Sequence, residues 1–202
     1  MKPTNLVFDI GNVLIRWDSE IPYRRLIPDP EERRHFLTEI LPPEWNLEQD
    51  RGRPWPDAEA ERIAVHPDKA ELIRAFRRHW HEMVPGPIDA NVAVLEAALA
   101  RGIPCYAITN FAADTFAEAK VRFPFLGRFT GTIVSAELGV LKPDPAIYRA
   151  FLATHGLEAQ TCLFMDDSAK NIAGAAALGF ATIHVTDGID LGAEIRRFGL
   201  VL

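Results

Sequence analysis

The sequence has little cysteine and no long hydrophobic run. Two cysteines occur among 202 residues, and both, Cys105 and Cys162, fall in segments that we predict to be β-strands. We therefore expect two buried free thiols in a reducing compartment, which argues against a disulfide-stabilised secreted fold. No apolar stretch approaches the roughly 18 residues that a membrane-spanning helix requires, so we expect no membrane partner.

The chain also lacks an excess of positive charge. Its 22 lysines and arginines are outnumbered by 28 aspartates and glutamates, which gives a formal net charge of -6. This balance argues against a general affinity for nucleic acid or anionic membranes, while leaving room for a locally cationic pocket. Residues 1–4 carry no secretion signal and lead directly into a predicted strand, so we expect a cytoplasmic location.

Five apolar segments have the length and composition of buried strands. They span residues 6–9, 104–109, 132–135, 162–165 and 181–185. From residue 104 onward the strands alternate with helical patterns at 114–121, 145–155 and 169–178. Apolar strands that alternate with helices predict an α/β fold, in which helices cover both faces of a parallel sheet.

The segment 17–87 has a different character, because it lacks strand-like runs and is rich in Glu, Arg, Pro and Trp. Proline breaks separate the predicted helices at 20–26, 30–40, 56–65 and 69–83. We therefore predict a core formed by residues 1–16 and 88–202, with a helical cap at 17–87. A cap inserted after the first strand would lie over the carboxyl edge of the sheet, where open α/β sheets bind ligands.

Polar residues follow the predicted strands at the points where these end. Burial of an unpaired carboxylate is costly, so a carboxylate at the end of an apolar strand usually faces a cleft, a cation or a metal. In a parallel sheet these ends share one edge and converge on one crevice. Carboxylate oxygens suit Mg²⁺, which can bridge to a phosphoryl group. The strand-end residues are Asp9, Thr109, Asn110, Asp166 and Asp167, and Lys142 precedes a predicted helix.

These residues lie in the motifs Phe8-Asp9-Ile10-Gly11-Asn12-Val13, Thr109-Asn110, Leu141-Lys142-Pro143 and Phe164-Met165-Asp166-Asp167. In this order and spacing the motifs resemble those of the haloacid dehalogenase superfamily, whose members are mostly phosphatases. The resemblance covers the whole chain and is closest to a bacterial branch that includes sugar-1-phosphate phosphatases. It implies a Rossmann-like core with a parallel five-stranded sheet and a small all-helical cap inserted after strand 1.

The resemblance also implies a role for each motif residue. Asp9 would attack phosphorus and form an aspartyl-phosphate, and Thr109 and Asn110 would hydrogen-bond a phosphoryl oxygen. Lys142 would offset the negative charge of nucleophile and phosphate. The cofactor would be Mg²⁺, and the substrate would be a small phosphorylated metabolite, for example a sugar phosphate. The metal ligands would be Asp9, Asp167, the carbonyl of Gly11 and, through a bound water, Asp166.

One position departs from the family pattern. Most phosphatases of this group carry a second aspartate two residues after the nucleophile, where this chain has Gly11. General acid–base assistance is typically worth about 10² to 10⁴ in rate. The protein either favours leaving groups that need little protonation, such as an anomeric sugar oxygen or an acyl group, or takes the proton from a cap residue, or is a weak relative. The cap candidates are Asp50, Glu48 and His35.

The cap is expected to choose the substrate, and residues 44–53 are its most unusual stretch. We interpret them as a loop over the pocket, in which Trp45 stacks on a sugar face and Asn46 bonds a hydroxyl. A helix–helix turn with Trp45 in the cap core is the alternative. We also expect Asn12 of the first motif to bind the substrate. The sequence does not distinguish a monomer from a homodimer.

Two other functions compete with a phosphatase. In a 2-haloacid dehalogenase the same aspartate would attack carbon and displace halide without a metal, which makes the pair Asp166-Asp167 unnecessary. A non-catalytic binding protein would keep the scaffold after losing the acid–base residue. The retained Asp9 and Lys142 argue against such a loss, because buried charges are costly to keep.

Overall fold

Five short strands form one parallel sheet in the computed structural model of the chain, which describes residues 2–202. Their order across the sheet is β3-β2-β1-β4-β5, so that β1 is central. The three inner strands are buried along their whole length, which explains their uninterrupted apolar sequences. The predicted sheet is confirmed, with ends that shift by one residue. The strands are β1 (Asn5–Phe8), β2 (Cys105–Thr109), β3 (Gly131–Val134), β4 (Cys162–Asp166) and β5 (Ala181–His184).

Six α-helices lie in the inserted segment between β1 and residue 88. They are α1 (Glu20–Leu26), α2 (Pro30–His35), α3 (Pro43–Asp50), α4 (Trp55–Val65), α5 (Ala70–Arg78) and α6 (Trp80–Met83). A π-helical turn, Phe36–Ile40, extends α2, and a 3₁₀ turn, Pro67–Lys69, precedes α5. Prolines occupy the first turns of α2, α3 and α4, where no backbone N–H is needed. The four predicted helices are present, and the last of them is interrupted at His79.

The predicted loop at 44–53 is wrong, because α3 occupies most of it. Trp45 is 4% exposed and packs in the apolar cluster of these helices. Its ring lies 5.9 Å from that of Trp55 and 5.3 Å from that of Phe76. Because an indole ring has a large apolar surface, its burial in the cap core is more favourable than its exposure over a pocket. The alternative, with Trp45 in the cap core, therefore describes the structure.

The remaining helices cover the two faces of the sheet. They are α7 (Asp89–Ala100), α8 (Ala113–Arg122), α9 (Ser135–Leu138), α10 (Pro145–His155), α11 (Ala169–Ala176) and α12 (Leu191–Arg197). Successive residues of β1 point to opposite faces. Leu6 and Phe8 belong to one apolar cluster with α7 and α12, and Val7 belongs to another with α10 and α11. Cys105 and Cys162 are buried and free, as predicted.

Two segments connect the six inserted helices to the sheet, and they run side by side. The N–H of Arg16 donates to the carbonyl of Gly86 at 2.9 Å, and the N–H of Ile88 donates to that of Leu14 at 2.8 Å. Both connecting segments therefore lie at the proposed boundaries of the 17–87 cap. We retain these bounds as a proposal. None of the helices within residues 2–202 is long and apolar enough to cross a membrane.

Candidate active site

Asp9 follows directly after β1, at the carboxyl edge of the sheet. One of its oxygens, Oδ1, accepts a hydrogen bond from the N–H of Ile10 at 2.7 Å and lies 2.7 Å from Nζ of Lys142. The residue is 7% exposed, so this carboxylate is paired with a cation in a nearly dry environment. The expected convergence of Asp9 and Lys142 is therefore present.

Lys142 connects two buried carboxylates. Its Nζ also lies 2.7 Å from Oδ2 of Asp166, and the lysine side chain is 1% exposed. Burial opposes the charged ammonium, but Asp9 and Asp166 outweigh it, and the pKa of Lys142 is raised. Lys142 thus remains a cation at the end of the cavity that contains Asp9.

Asp166 ends β4 and is fully buried. Its oxygens accept hydrogen bonds from the N–H of Ser168 at 2.8 Å, from Nδ2 of Asn171 at 3.0 and 3.1 Å, and from Lys142. These partners explain how a charged side chain is tolerated there. Since its oxygens are already engaged, Asp166 is better placed to orient Lys142 than to meet a ligand directly.

Asp167 is half-buried and lines the cavity. Burial and the neighbouring Asp166 raise the pKa of Asp167, while a hydrogen bond from Asn12 lowers it. Asn12 adopts a left-handed conformation with φ of 52°, which asparagine tolerates better than most residues. Its Oδ1 accepts a hydrogen bond from the N–H of Trp17 at 3.0 Å. The turn after β1 therefore places Asn12 beside the acidic group, at the edge of the cavity.

The three carboxylates form a compact oxygen cluster. Ligand oxygens of Asp9, Asp166 and Asp167 all lie within 4.8 Å of one another. Burial raises the pKa of Asp9, the two neighbouring carboxylates raise it further, and Lys142 opposes them. Three carboxylates and one lysine carry a formal charge of -2, which a divalent cation would balance. Because the donors are hard oxygens, the cluster fits Mg²⁺. Gly11 lines the same part of the cavity.

Thr109 and Asn110 end β2 but have different surroundings. Oγ1 of Thr109 is buried and has no hydrogen-bond partner within residues 2–202, which suits a donor to a phosphoryl oxygen. The Asn110 amide instead binds the main chain of Lys142. Its Nδ2 donates to the Lys142 carbonyl at 3.1 Å, and its Oδ1 accepts from the Lys142 N–H at 2.8 Å. The structure thus gives the Asn110 side chain a positioning task that the sequence did not indicate.

A cavity of about 390 Å³ lies between this polar end and the inserted helices. Asn46 and Asp50 of α3 line it, and Trp45 does not. Neither Glu48 nor His35 lines it, and both are exposed. Of the three candidates for a proton donor in the cap, only Asp50 therefore reaches the cavity.

Asp50 is held where α3 meets the core. Nδ2 of Asn46 donates to its carboxylate at 3.2 Å, and the hydroxyl of Ser135 donates to its carbonyl. Burial raises the pKa of Asp50 to about 7, against a hydrogen bond from the backbone of Ala112 that lowers it. A carboxyl group with such a pKa can give and take a proton near neutral pH.

Asn171 holds Asp166 from the first turn of α11, a role that its position four residues after Asp167 allows. Sequence reasoning missed the aromatic residues of the cavity wall, since the tryptophans of the insert did not reveal which of them face inward. The cavity-lining aromatic residues are Trp17, Trp55, Phe76, Trp80 and Phe111.

Comparison with known proteins gives one family and several relatives. A family model described as haloacid dehalogenase-like hydrolase matches residues 4–179. The sesquiterpene phosphatase astK of Aspergillus oryzae is 26% identical over 95% of this chain and 94% of its own length. The phosphoserine phosphatase of Thermus thermophilus is 30% identical over 61% of this chain. The match covers 49% of that relative's own length.

Solved structures with the same fold include a haloacid dehalogenase family enzyme from Bacteroides thetaiotaomicron in complex with magnesium and inorganic phosphate. It superposes with a TM-score of 0.74 at 22% identity and covers 95% of this chain and 98% of its own. At this level of identity the likeness concerns the fold. The five-stranded parallel sheet and its flanking helices are therefore those of known haloacid dehalogenase-like proteins.

Proposed function

This chain belongs to the haloacid dehalogenase-like hydrolases, and from this premise we propose that it is a Mg²⁺-dependent phosphatase acting on a small phosphorylated metabolite. The observation that carries the proposal is the buried group formed by Asp9, Lys142 and the pair Asp166-Asp167 at the polar end of the cavity. A carboxylate nucleophile, a fixed cation and a cluster of oxygen donors together suit phosphoryl transfer.

The names of two relatives support this reaction class. One is a sesquiterpene phosphatase that matches nearly the whole chain, and the other is a phosphoserine phosphatase that matches a part of it. Both names describe the removal of a phosphate group from a small molecule. The two molecules differ greatly, so the names support phosphatase chemistry without selecting a substrate.

In the proposed reaction, an oxygen of Asp9 attacks phosphorus and the bond between phosphorus and the ester oxygen breaks. The alcohol leaves with a proton, and Asp9 carries the phosphoryl group as an aspartyl-phosphate. Water then attacks phosphorus, releases inorganic phosphate and restores the carboxylate. Lys142 offsets negative charge during both steps, and the buried hydroxyl of Thr109 donates to a phosphoryl oxygen.

The acidic cluster would hold the metal. Asp9 and Asp167 would bind through their side chains, Gly11 through its carbonyl and Asp166 through a water. When bound, Mg²⁺ supplies positive charge that offsets the charge of the phosphoryl group. Asn110 acts indirectly, because it holds the main chain of Lys142 in place.

Gly11 cannot move a proton, so we propose Asp50 as the acid that protonates the leaving alcohol. Asp50 lines the same cavity as Asp9, and its pKa of about 7 permits both protonation states near neutral pH. The same group can then accept a proton from the attacking water. This assignment selects the cap among the explanations that the sequence left open for Gly11.

The experiment is phosphate release from a panel of phosphate esters and acyl phosphates, with and without Mg²⁺, by the wild-type protein and by Asp9→Asn. The panel includes acetyl phosphate and glucose 1-phosphate. We expect Mg²⁺-dependent release by the wild type and none by the variant, with an unchanged circular dichroism spectrum. Metal-dependent release by a clean Asp9→Asn preparation would exclude Asp9 as the nucleophile.

Two alternatives have their own assays. Halide release from 2-haloacids without a metal would favour a dehalogenase, a reaction for which the cluster around Asp167 has no use. Binding of Mg²⁺ without turnover would favour a non-catalytic protein, which the missing aspartate at Gly11 supports. We further propose a cytoplasmic location, in keeping with two free buried thiols, and a monomer or homodimer that gel filtration can distinguish.

A further inference from the structure

The cavity above Asp9 has two chemically different ends. Its polar end consists of charged and amide side chains with the Gly11 backbone. Away from this end the lining is mostly apolar, and it comes from the turn after β1, from the inserted helices and from the start of the segment after β2. The apolar lining residues are Ile15, Trp17, Leu37, Leu41, Pro42, Pro43, Leu47, Trp55, Phe76, Trp80, Val84 and Phe111.

Aromatic rings form a continuous part of this apolar wall. Trp55 stacks on Phe76 at 6.0 Å, and Phe76 lies 6.4 Å from Trp17. Trp17 lies 6.4 Å from Trp80, which meets the edge of Phe111 at 5.8 Å. The wall therefore extends from the interior of the inserted helices to Phe111, one residue after Asn110. Contacts between the rings fix their positions without any bound molecule.

The polar groups of this upper part are mostly occupied. Nδ2 of Asn46 donates to Asp50 at 3.2 Å, and Oγ1 of Thr115 donates to the carbonyl of Ala112 at 3.2 Å. Nε1 of Trp55 donates to Oδ1 of Asp114, also at 3.2 Å. A sugar that entered this space would bury several hydroxyl groups beside carbon atoms. Buried hydroxyl groups without partners weaken binding.

We propose that the substrate is a phosphate monoester of an apolar alcohol, with an alkyl or aryl group in the upper cavity. The phosphate lies against Asp9 and Lys142, and the hydrocarbon contacts the aromatic wall. This inference rests on the proposed phosphatase function and names its substrate class. It replaces the sugar phosphate that the sequence resemblance suggested. A volume of about 390 Å³ lies within the range of ligand pockets, roughly 300 to 1,000 Å³.

The test is a comparison of kcat/KM for phosphate monoesters that differ only in the alcohol. Methyl, propyl, butyl and hexyl phosphate form one series, phenyl phosphate is the aryl member, and glucose 1-phosphate and glycerol 3-phosphate are polar comparators. Each buried methylene contributes about 0.8 kcal/mol, which corresponds to roughly a fourfold increase in kcat/KM until the cavity is filled. A flat series, or a preference for glucose 1-phosphate, would overturn the inference.

A binding measurement separates this inference from the phosphatase proposal. Three tryptophans, Trp17, Trp55 and Trp80, line the cavity, so their fluorescence reports on a molecule that enters it. Methylphosphonate and hexylphosphonate are the probes, because neither can be hydrolysed as an ester. If neither acetyl phosphate nor any ester of the panel turns over, the phosphatase proposal fails. Tighter binding of hexylphosphonate, by about tenfold or more, would still support an apolar site, and equal binding would refute it.

A variant of the wall provides a second check. Leu47 lines the cavity and is 37% exposed, so Leu47→Asn is expected to fold. We expect this variant to lower the ratio of kcat/KM for hexyl phosphate to kcat/KM for acetyl phosphate by about tenfold. Val65→Asn is the matched control, because Val65 is 63% exposed and lies outside the cavity. Equal losses on both substrates in Leu47→Asn would contradict a specific contact with the hydrocarbon.

Discussion

Nζ of Lys142 lies 2.7 Å from Oδ1 of Asp9, in a place that water hardly reaches. The proposed nucleophile is thus paired with a cation before any substrate binds. The same nitrogen contacts Asp166, whose position is set by Ser168 and Asn171. The network therefore couples activity at Asp9 to the stability of the carboxyl edge of the sheet.

Replacement of Lys142 by methionine is expected to lower both activity and stability. The change leaves two buried carboxylates without their cation, which typically costs about 3–5 kcal/mol when a buried pair is broken. The loss of a charge beside the phosphoryl group is expected to lower kcat by about 10² to 10³. Urea denaturation and steady-state kinetics measure the two effects.

The matched control for this change is Lys69→Met, since the side chain of Lys69 is 43% exposed and pairs with Asp68 on the surface. Surface pairs of this kind contribute about 0–1 kcal/mol. Near-wild-type activity in Lys142→Met would contradict the assigned role of Lys142.

Asp50→Asn is expected to affect substrates according to their leaving groups. With alkyl esters the leaving oxygen needs a proton. The loss of the Asp50 carboxyl group is therefore expected to lower kcat by about 10² to 10⁴. Since protonated Asp50 is the donor and its pKa is about 7, the ratio of the wild-type rate on alkyl esters to that on acetyl phosphate should fall as the pH rises through 7. This decline should be absent in the variant. Steady-state kinetics between pH 5 and 9 provide the measurement.

Acetyl phosphate serves as the internal reference for this prediction, because its leaving group needs little protonation. Glu48→Gln is the control variant on the same helix, since Glu48 is exposed and contacts Arg51 at 3.5 Å. If Asp50→Asn slowed alkyl esters and acetyl phosphate equally, Asp50 would not be the acid that protonates the leaving group.

The fold and the polar end of the site could be predicted largely from the sequence. Apolar strands that alternate with helical patterns predict a parallel sheet, and in a parallel sheet the carboxyl ends of the strands lie at one edge. This reasoning placed Asp9, Lys142 and Asp166 in one crevice, and in the structure Nζ of Lys142 lies 2.7 Å from an oxygen of each aspartate. It needs topology alone, without any knowledge of side-chain packing.

The cap shows where such reasoning fails. Four tryptophans occur in the chain, and all precede β2. Which of them face the cavity depends on how six short helices pack, and Trp45 supports Trp55 and Phe76 from outside the cavity lining. The pairing of the Asn110 amide with the main chain of Lys142 was likewise hidden, because it depends on the direction of one side chain, which the order of the strands does not fix. The bounds of the cap remain a proposal.

Gly11→Asp is expected to supply the proton-transfer group that this chain lacks. A Cβ atom added at Gly11 would meet no atom within 4 Å, and the glycine does not need a positive φ. The backbone carbonyl also remains available to a metal. In the Asp50→Asn background, we expect Gly11→Asp to restore part of the rate on alkyl esters. The measurement is kcat for the single and double variants.

Gly11→Ala is the control for this rescue, because alanine fills the same space without carrying a proton. It should leave the rate of Asp50→Asn unchanged. A double variant with Gly11→Asp that remains as slow as Asp50→Asn would argue against proton transfer as the missing function.

Gly52→Ala is expected to weaken the docking of α3 on the core. Gly52 has φ of +108°, and an added Cβ would lie 2.9 Å from the carbonyl oxygen of Ala136. The conformation alone costs roughly 1–3 kcal/mol for a residue with a side chain, and the clash adds to it. Because Asp50 lies two residues away, we expect a lower midpoint of urea denaturation together with a larger loss of kcat on alkyl esters than on acetyl phosphate.

Gly127→Ala is the matched control, since Gly127 is exposed, does not have a positive φ and would place its Cβ in open space. It should change neither stability nor activity appreciably. If Gly52→Ala lowered stability but slowed both substrates to the same extent, the geometry at Gly52 would not act through proton donation by Asp50. A loss confined to alkyl esters would instead show that the close approach of Gly52 to Ala136 sets the position of the proton donor.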